Sequence, residues 1–300
     1  MQNVFELVDA NKRKSSLVVA GFIVFVALVS WVFAVAYGYD LSFVGIAFIF
    51  SGLVSYVSFY NSDKIILSLS GARPADRQKD FNFYTVAQNL SMAARIPMPK
   101  LYVIDDTALN AFATGRDPQH AVVVATTGLL TALNRTELEG VVAHEFSHIQ
   151  NYDIRLMSLV TVMVGMITLL ADMFLRMSRF GGRRSRDTDN QLGTLLFVVG
   201  IILALLSPFI AGLIKLAISR RREFLADASG AKLTRYPEGL ARALEKISAD
   251  QEPLEAANKA TAHLYIANPL KNHHDSIGWF AGMFNTHPPV AERIAALRSR

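Results

Sequence analysis

No cysteine occurs in the 300 residues, which excludes disulfide bonds and any thiolate metal site. A metal in this chain is therefore held by nitrogen and oxygen, and the absence of thiols fits a reducing compartment. Histidine is scarce, with only 7 in the chain, so two of them at helical spacing carry weight. Charged residues make up 18% of the sequence. The balance is a formal net charge of +5, yet no basic stripe interleaves with aromatics. That excludes a nucleic-acid partner and favours a membrane surface. Internal repeats and low-complexity tracts are absent too.

What is present is apolar. The hydrophobic fraction is 52%, and a mean hydropathy of +0.29 is high for a soluble chain. Residues 1–16 form a polar N-terminal segment with Lys12, Arg13 and Lys14 near its end. Leu17–Tyr37 carries no charge and is long enough to cross about 30 Å of hydrocarbon. A cleaved signal peptide competes, with Ala34-Val35-Ala36 resembling a cleavage site. The run is too long for that, and a second, Leu41–Tyr60, follows at once. Residues 17–61 thus read as a transmembrane hairpin, with both ends cytoplasmic by the flanking Lys and Arg.

Residues 62–155 read as the first part of a folded domain, with a helix at Phe81–Arg95 and β-rich runs at Leu101–Asp105, Asn110–Gly115 and Ala121–Thr126. Residues 156–218 hold two more apolar runs, Leu156–Leu175 and Leu192–Ile218, expected to span the bilayer. The arginine-rich loop 176–186 between them then faces outward, against the positive-inside tendency. A helical hairpin lying in the membrane is the alternative. Residues 219–300 complete the folded domain, with helices expected over 220–230 and Leu240–Ser248. The fold class is mainly α with a small β-sheet, plus transmembrane helices.

The chemistry centres on Thr136–Asp153. Thr136 with Glu139 reads as a capping box, and Leu138, Val141, Val142, Phe146 and Ile149 recur at helical spacing. Within this amphipathic helix lies His144-Glu145-Phe146-Ser147-His148. Histidines at i and i+4 leave one helical face and can grip one ion, the H-E-x-x-H pattern of zinc peptidases. A catalytic zinc wants a third ligand and an open position.

Glu223-Phe-Leu-Ala-Asp227 offers that ligand on one helical face, with Asp227 placed to orient a ligand histidine. Spacing alone leaves a second possibility, in which Glu223 pairs with Arg220 or Arg222 on a solvated face. Zinc acidifies water and polarises the scissile carbonyl; Glu145 takes the proton and returns it to the leaving amine. His287, before Pro288 and Pro289, is a candidate donor to the oxyanion, or a turn histidine with no role.

These elements together resemble the HtpX family of bacterial membrane zinc metalloproteases, related to the type I CAAX prenyl proteases. The HEFSH helix, Glu223-x-x-x-Asp227, Asn110-Ala-Phe-Ala-Thr-Gly115 and His287-Pro-Pro…Arg293 carry the likeness in order along nearly the whole chain. The resemblance implies a gluzincin-like domain with one Zn2+ on His144, His148 and Glu223, and Glu145 as general base. It further implies that Asp227 supports a ligand, while His287 and Arg293 line the site and act on the transition state. Asn110, Ala111, Phe112, Ala113, Thr114 and Gly115 would take an extended substrate as an added strand. The implied activity is endoproteolysis of misfolded or membrane proteins at the cytoplasmic face of the inner membrane, in stress response and quality control. Partners are polypeptide substrates and the lipid bilayer, and the sequence assigns no oligomeric state. A CAAX-type processing protease is the alternative, opposed by only four hydrophobic segments. A non-catalytic membrane scaffold is a further one, opposed by polar residues collecting outside those segments.

Overall fold

The computed structural model describes residues 4–37, 40–165, 219–257, 261–267, 269 and 288–299. Helix α1 (Val4–Tyr37) and helix α2 (Leu41–Tyr60) pack against each other as a hairpin. Their breaks match the two apolar runs, except that α1 starts at Val4 rather than Leu17. The lead-in is helical because it contains neither Pro nor Gly and buries Asn11 and Ser15. Among the residues whose side chains are described, no helix is long and apolar enough to cross a membrane. The second pair of apolar runs lies outside the described residues beyond 165, as does the 176–186 loop.

After α3 (Ser62–Leu69) the chain builds a four-stranded mixed sheet in the order β1-β2-β4-β3. The strands are β1 (Arg73–Pro74), β2 (Lys100–Ile104), β3 (Ala111–Thr114) and β4 (Val122–Thr126). β2 and β4 run parallel, while β1 and β3 close the two edges antiparallel. The two-residue β1 has no periodicity to announce it, and its Pro74 sits on an edge, where proline is tolerated. β4 is buried throughout, with Val123 and Ala125 in one core and Val122 and Val124 in the other. A sheet covered on both faces explains why this strand reads as an unbroken apolar run.

One face is covered by α4 (Phe81–Ala94), α6 (Arg135–Gln150), α8 (Pro237–Ala249) and α9 (Val290–Arg298), with α5 (Thr127–Ala132) linking β4 to α6. The other is covered by Val18 and Phe22 of α1, Ile66 and Leu67 of α3, and helical residues 156–164. The sheet thus stands between the helices that carry the site and the α1–α2 hairpin.

Helix α6 departs from the amphipathic expectation. Leu138 and every residue from Gly140 to Ile149 are buried, because α4, α7 (Arg220–Thr234), α8 and β3 all pack on it. Its cap also lies earlier than Thr136–Glu139. Asn134 accepts from Glu137 N at 3.0 Å, and Glu137 accepts from Asn134 N at 2.8 Å. Thr136 instead donates its hydroxyl to Asn134 Oδ1 at 2.8 Å. Asn134 is a stronger N-cap than threonine, so it sets the start.

Two glycines permit the close packing of α6. A Cβ at Gly140 would meet Leu240 N at 2.6 Å, and one at Gly230 of α7 would meet His144 N at 3.0 Å. The second approach brings α7 directly against the first motif histidine.

Candidate metal centre and active site

His144 and His148 leave one face of α6 with their rings 4.8 Å apart between centroids. Their Nε2 atoms face each other at 3.2 Å. Glu223, in the first turn of α7, brings Oε2 to 3.8 Å from His144 Nε2 and Oε1 to 3.6 Å from His148 Nε2. The three donor atoms lie within 4.8 Å of one another, and all three residues are buried. Two nitrogens each about 2.0–2.1 Å from one tetrahedral ion stand roughly 3.3 Å apart. The donor set and its spacing therefore fit a zinc ion with one position left open.

Each imidazole is held from behind. His144 Nδ1 lies 2.9 Å from Asp227 Oδ1, one turn beyond Glu223 on α7. His148 Nδ1 lies 3.0 Å from Asp153 Oδ2. Such pairs leave Nε2 free to ligate and raise its basicity. Spacing does not single out Asp153, because i+5 from His148 is not on a shared helical face. It returns only because Tyr152, with φ +57, reverses the chain after Asn151. A bulky residue in that left-handed region costs about 1 kcal/mol and persists where its surroundings hold it.

Arg293, on α9, is fully buried and sits behind His144 and Glu223. It donates to both oxygens of Asp227 and to Ile266 O, the latter at 3.2 Å. Its Nη1 is 3.9 Å from Glu223 Oε2. Burial pushes the Asp227 carboxyl up, but Arg293 and His144 hold it down at about 2. Burial likewise pulls the His148 imidazolium down; the bond to Asp153 and the charges of Glu223, Asp153 and Glu145 outweigh it and lift the group to about 9. Glu223 is buried rather than on a solvated face. Arg222 instead reaches Asn11 and Asp153, at 3.2 and 3.4 Å.

Glu145 is buried where α6 meets β3, with its carboxyl near Ala113 N–H. Burial pushes its carboxyl above the usual carboxylate range, opposed by His144, His148 and that N–H, and helped by Glu223. A carboxylate made more basic in this way is suited to take a proton at neutral pH. β3 lies at the sheet edge. Pairing of Asn110 with Thr126 puts the backbone of Ala111 and Ala113 on the outer side of the strand. Ala111 O accepts there from Ile266 N at 3.0 Å, and Asn110 Nδ2 donates to Ala267 O at 3.1 Å.

The side chains of this strand are spoken for by packing. Ala111 and Ala113 join the core under α6, and Phe112 meets Tyr265 edge-on at 4.9 Å. Thr114 bonds Ser158 at 2.8 Å. At Gly115, φ is +134 and a Cβ would meet His120 O at 2.3 Å. His287 lies outside the described residues.

Residues 77–300 match the model of peptidase family M48. A protease HtpX homolog of Dictyoglomus thermophilum is 47% identical over 296 residues, covering 98% of this chain and 94% of the relative. A protease HtpX homolog of Streptococcus gordonii is 41% identical over 303 residues, covering 98% and 99%. Among solved structures, that of S. mikatae Ste24p is similar at a TM-score of 0.46 and 21% identity, covering 97% of this chain and 66% of that one.

Proposed function

This chain belongs to peptidase family M48 and is a metalloprotease, and from that premise we propose that it is a membrane-integrated zinc endopeptidase of protein quality control. It would cleave misfolded or membrane proteins at the cytoplasmic face. The observation that carries this is the convergence of His144, His148 and Glu223 beside a buried Glu145 that faces the outer edge of β3. The hairpin 17–61 and the runs within 156–218 anchor the chain, and 62–155 with 219–300 form the peptidase domain.

His144, His148 and Glu223 would hold the zinc ion, which would supply the Lewis acidity that acidifies water and polarises a scissile carbonyl. The remaining work falls to side chains. Glu145 takes the proton from the attacking water and delivers it to the leaving amine. Asp227 and Asp153 accept from the two ligand imidazoles and fix their tautomers. Arg293 holds Asp227 in place from α9. The outward backbone of Ala113 is the point at which an extended substrate pairs with the Asn110–Gly115 segment, beside Glu145. His287 is assigned to the oxyanion from the order of motifs alone.

The test is Glu145→Gln in detergent-purified protein. It should retain zinc and lose cleavage of an unfolded substrate such as casein by a factor of at least about a hundred. Wild-type cleavage by this variant would sink the proposal.

A further inference from the structure

The first helix reaches the metal site, and it does so through Asn11. This residue lies in the polar lead-in of α1 and is 2% exposed. Its Nδ2 donates to Asp153 Oδ1 at 2.7 Å and to Asn151 O at 2.9 Å. Its Oδ1 accepts from Arg222 Nη1 at 3.2 Å. Two acceptors on one side and a pure donor on the other leave one possible orientation for the amide. Asp153 is thus shared: Oδ2 meets His148 Nδ1, and Oδ1 takes the short bond from Asn11, with Arg222 Nε more distant at 3.4 Å.

The surroundings brace this contact. Ser15 Oγ donates to Asn11 O at 2.9 Å, and the Lys12 ammonium stands 4.7 Å from the centre of the Tyr152 ring. Tyr152 is the residue in the left-handed conformation that brings Asp153 back to His148. Asn11 and Lys12 therefore grip all three residues of the corner, Asn151, Tyr152 and Asp153. Arg222 stands next to Glu223, so the same network touches the element that supplies the third ligand. The family match begins at residue 77 and leaves this contact out.

We propose that Asn11 is a positioning residue of the metal site, acting through Asp153 to fix His148, so that the N-terminal turns of α1 belong to the catalytic unit. The proposal rests on His144, His148 and Glu223 being the zinc ligands. No other side chain of its length offers two donors and an acceptor from one planar group. In a buried network the bond competes with no water, so its loss is felt at the ligand.

The experiment uses the full chain in detergent and measures zinc affinity by competition with a chromophoric chelator, alongside kcat and KM on casein. Asn11→Ala should weaken zinc binding roughly tenfold, the low end of what losing an outer partner of a ligand costs. Its effect should fall on kcat rather than KM. In an Asp153→Ala background, Asn11→Ala should change zinc affinity no further, because the path runs through Asp153. Asn11→Asp keeps the volume and removes both donors; it is read by the same criteria if the alanine variant does not fold.

Unchanged zinc affinity in a folded Asn11 variant overturns the proposal. So does an effect of the same size with and without Asp153, which marks a merely structural contact. Wild-type protein that binds no zinc overturns the ligand assignment and this proposal together. Zinc-binding wild type with an indifferent Asn11 variant overturns this proposal alone.

Discussion

Arg293 grips Asp227 with two parallel bonds, Nε to Oδ2 at 2.8 Å and Nη2 to Oδ1 at 2.7 Å. The same Oδ1 lies 2.9 Å from His144 Nδ1. A guanidinium on the last described helix therefore fixes the tautomer of a histidine on α6, through one carboxylate on α7. Three helices are tied together at the point where His144, His148 and Glu223 converge.

Removing the guanidinium leaves Asp227 buried with its charge uncompensated. Arg293→Ala should lose about 3–5 kcal/mol of stability, the cost of breaking a buried pair from one side. Arg293→Lys keeps the charge and loses the fork. Thermal or denaturant unfolding of the two variants should rank them wild type, lysine, alanine; equal stability of all three would contradict the arrangement.

The metal-free site should hold a proton that zinc must displace. His148 is raised from its ordinary value of 6.5 to about 9, the bond to Asp153 overcoming burial. Its protonation therefore stabilises the metal-free fold fully below about 6.5, and that contribution is lost as pH rises through about 9. Apparent zinc affinity should accordingly climb roughly tenfold per pH unit from 7 toward 9 and then level off. Chelator competition across that range checks it, and a flat response would contradict the assignment.

The start of α6 offers a test of local structure. Asn134→Ala removes the cap that accepts from Glu137 N and should cost about 1 kcal/mol. Thr136→Ala, at the position expected from the Thr136–Glu139 pattern, should cost only a few tenths. Equal losses in unfolding experiments would return the cap to Thr136.

Gly230 controls how closely α7 approaches His144 on α6. Its added Cβ would stand 3.0 Å from His144 N. Gly230→Ala should destabilise by about 1–3 kcal/mol through overpacking and weaken zinc binding, because Glu223 and Asp227 retreat together. Wild-type zinc affinity in a destabilised variant would show that the helices separate elsewhere.

Much of this site is legible from spacing. His144, Glu145 and His148 share a helix, and Glu223 and Asp227 share another, so i, i+4 geometry places each set before any fold is known. What brings the two sets together is tertiary: Gly230 against His144 and Gly140 against Leu240. Asp153 was beyond reach because its position depends on one left-handed residue, Tyr152. Asn11 lies 142 residues from its partner Asp153, and no periodicity links them. The strands were legible where β-branched residues cluster, as at Val122–Val124, whereas Arg73–Pro74 joins the sheet only by pairing with Tyr102 and Val103.

Metal content decides whether one zinc ion is held by His144, His148 and Glu223. Detergent-purified wild-type protein should carry close to one zinc per chain, and Glu223→Ala should carry almost none after the same dialysis. A wild type without zinc, or a Glu223→Ala protein that keeps its full complement, would overturn this ligand set.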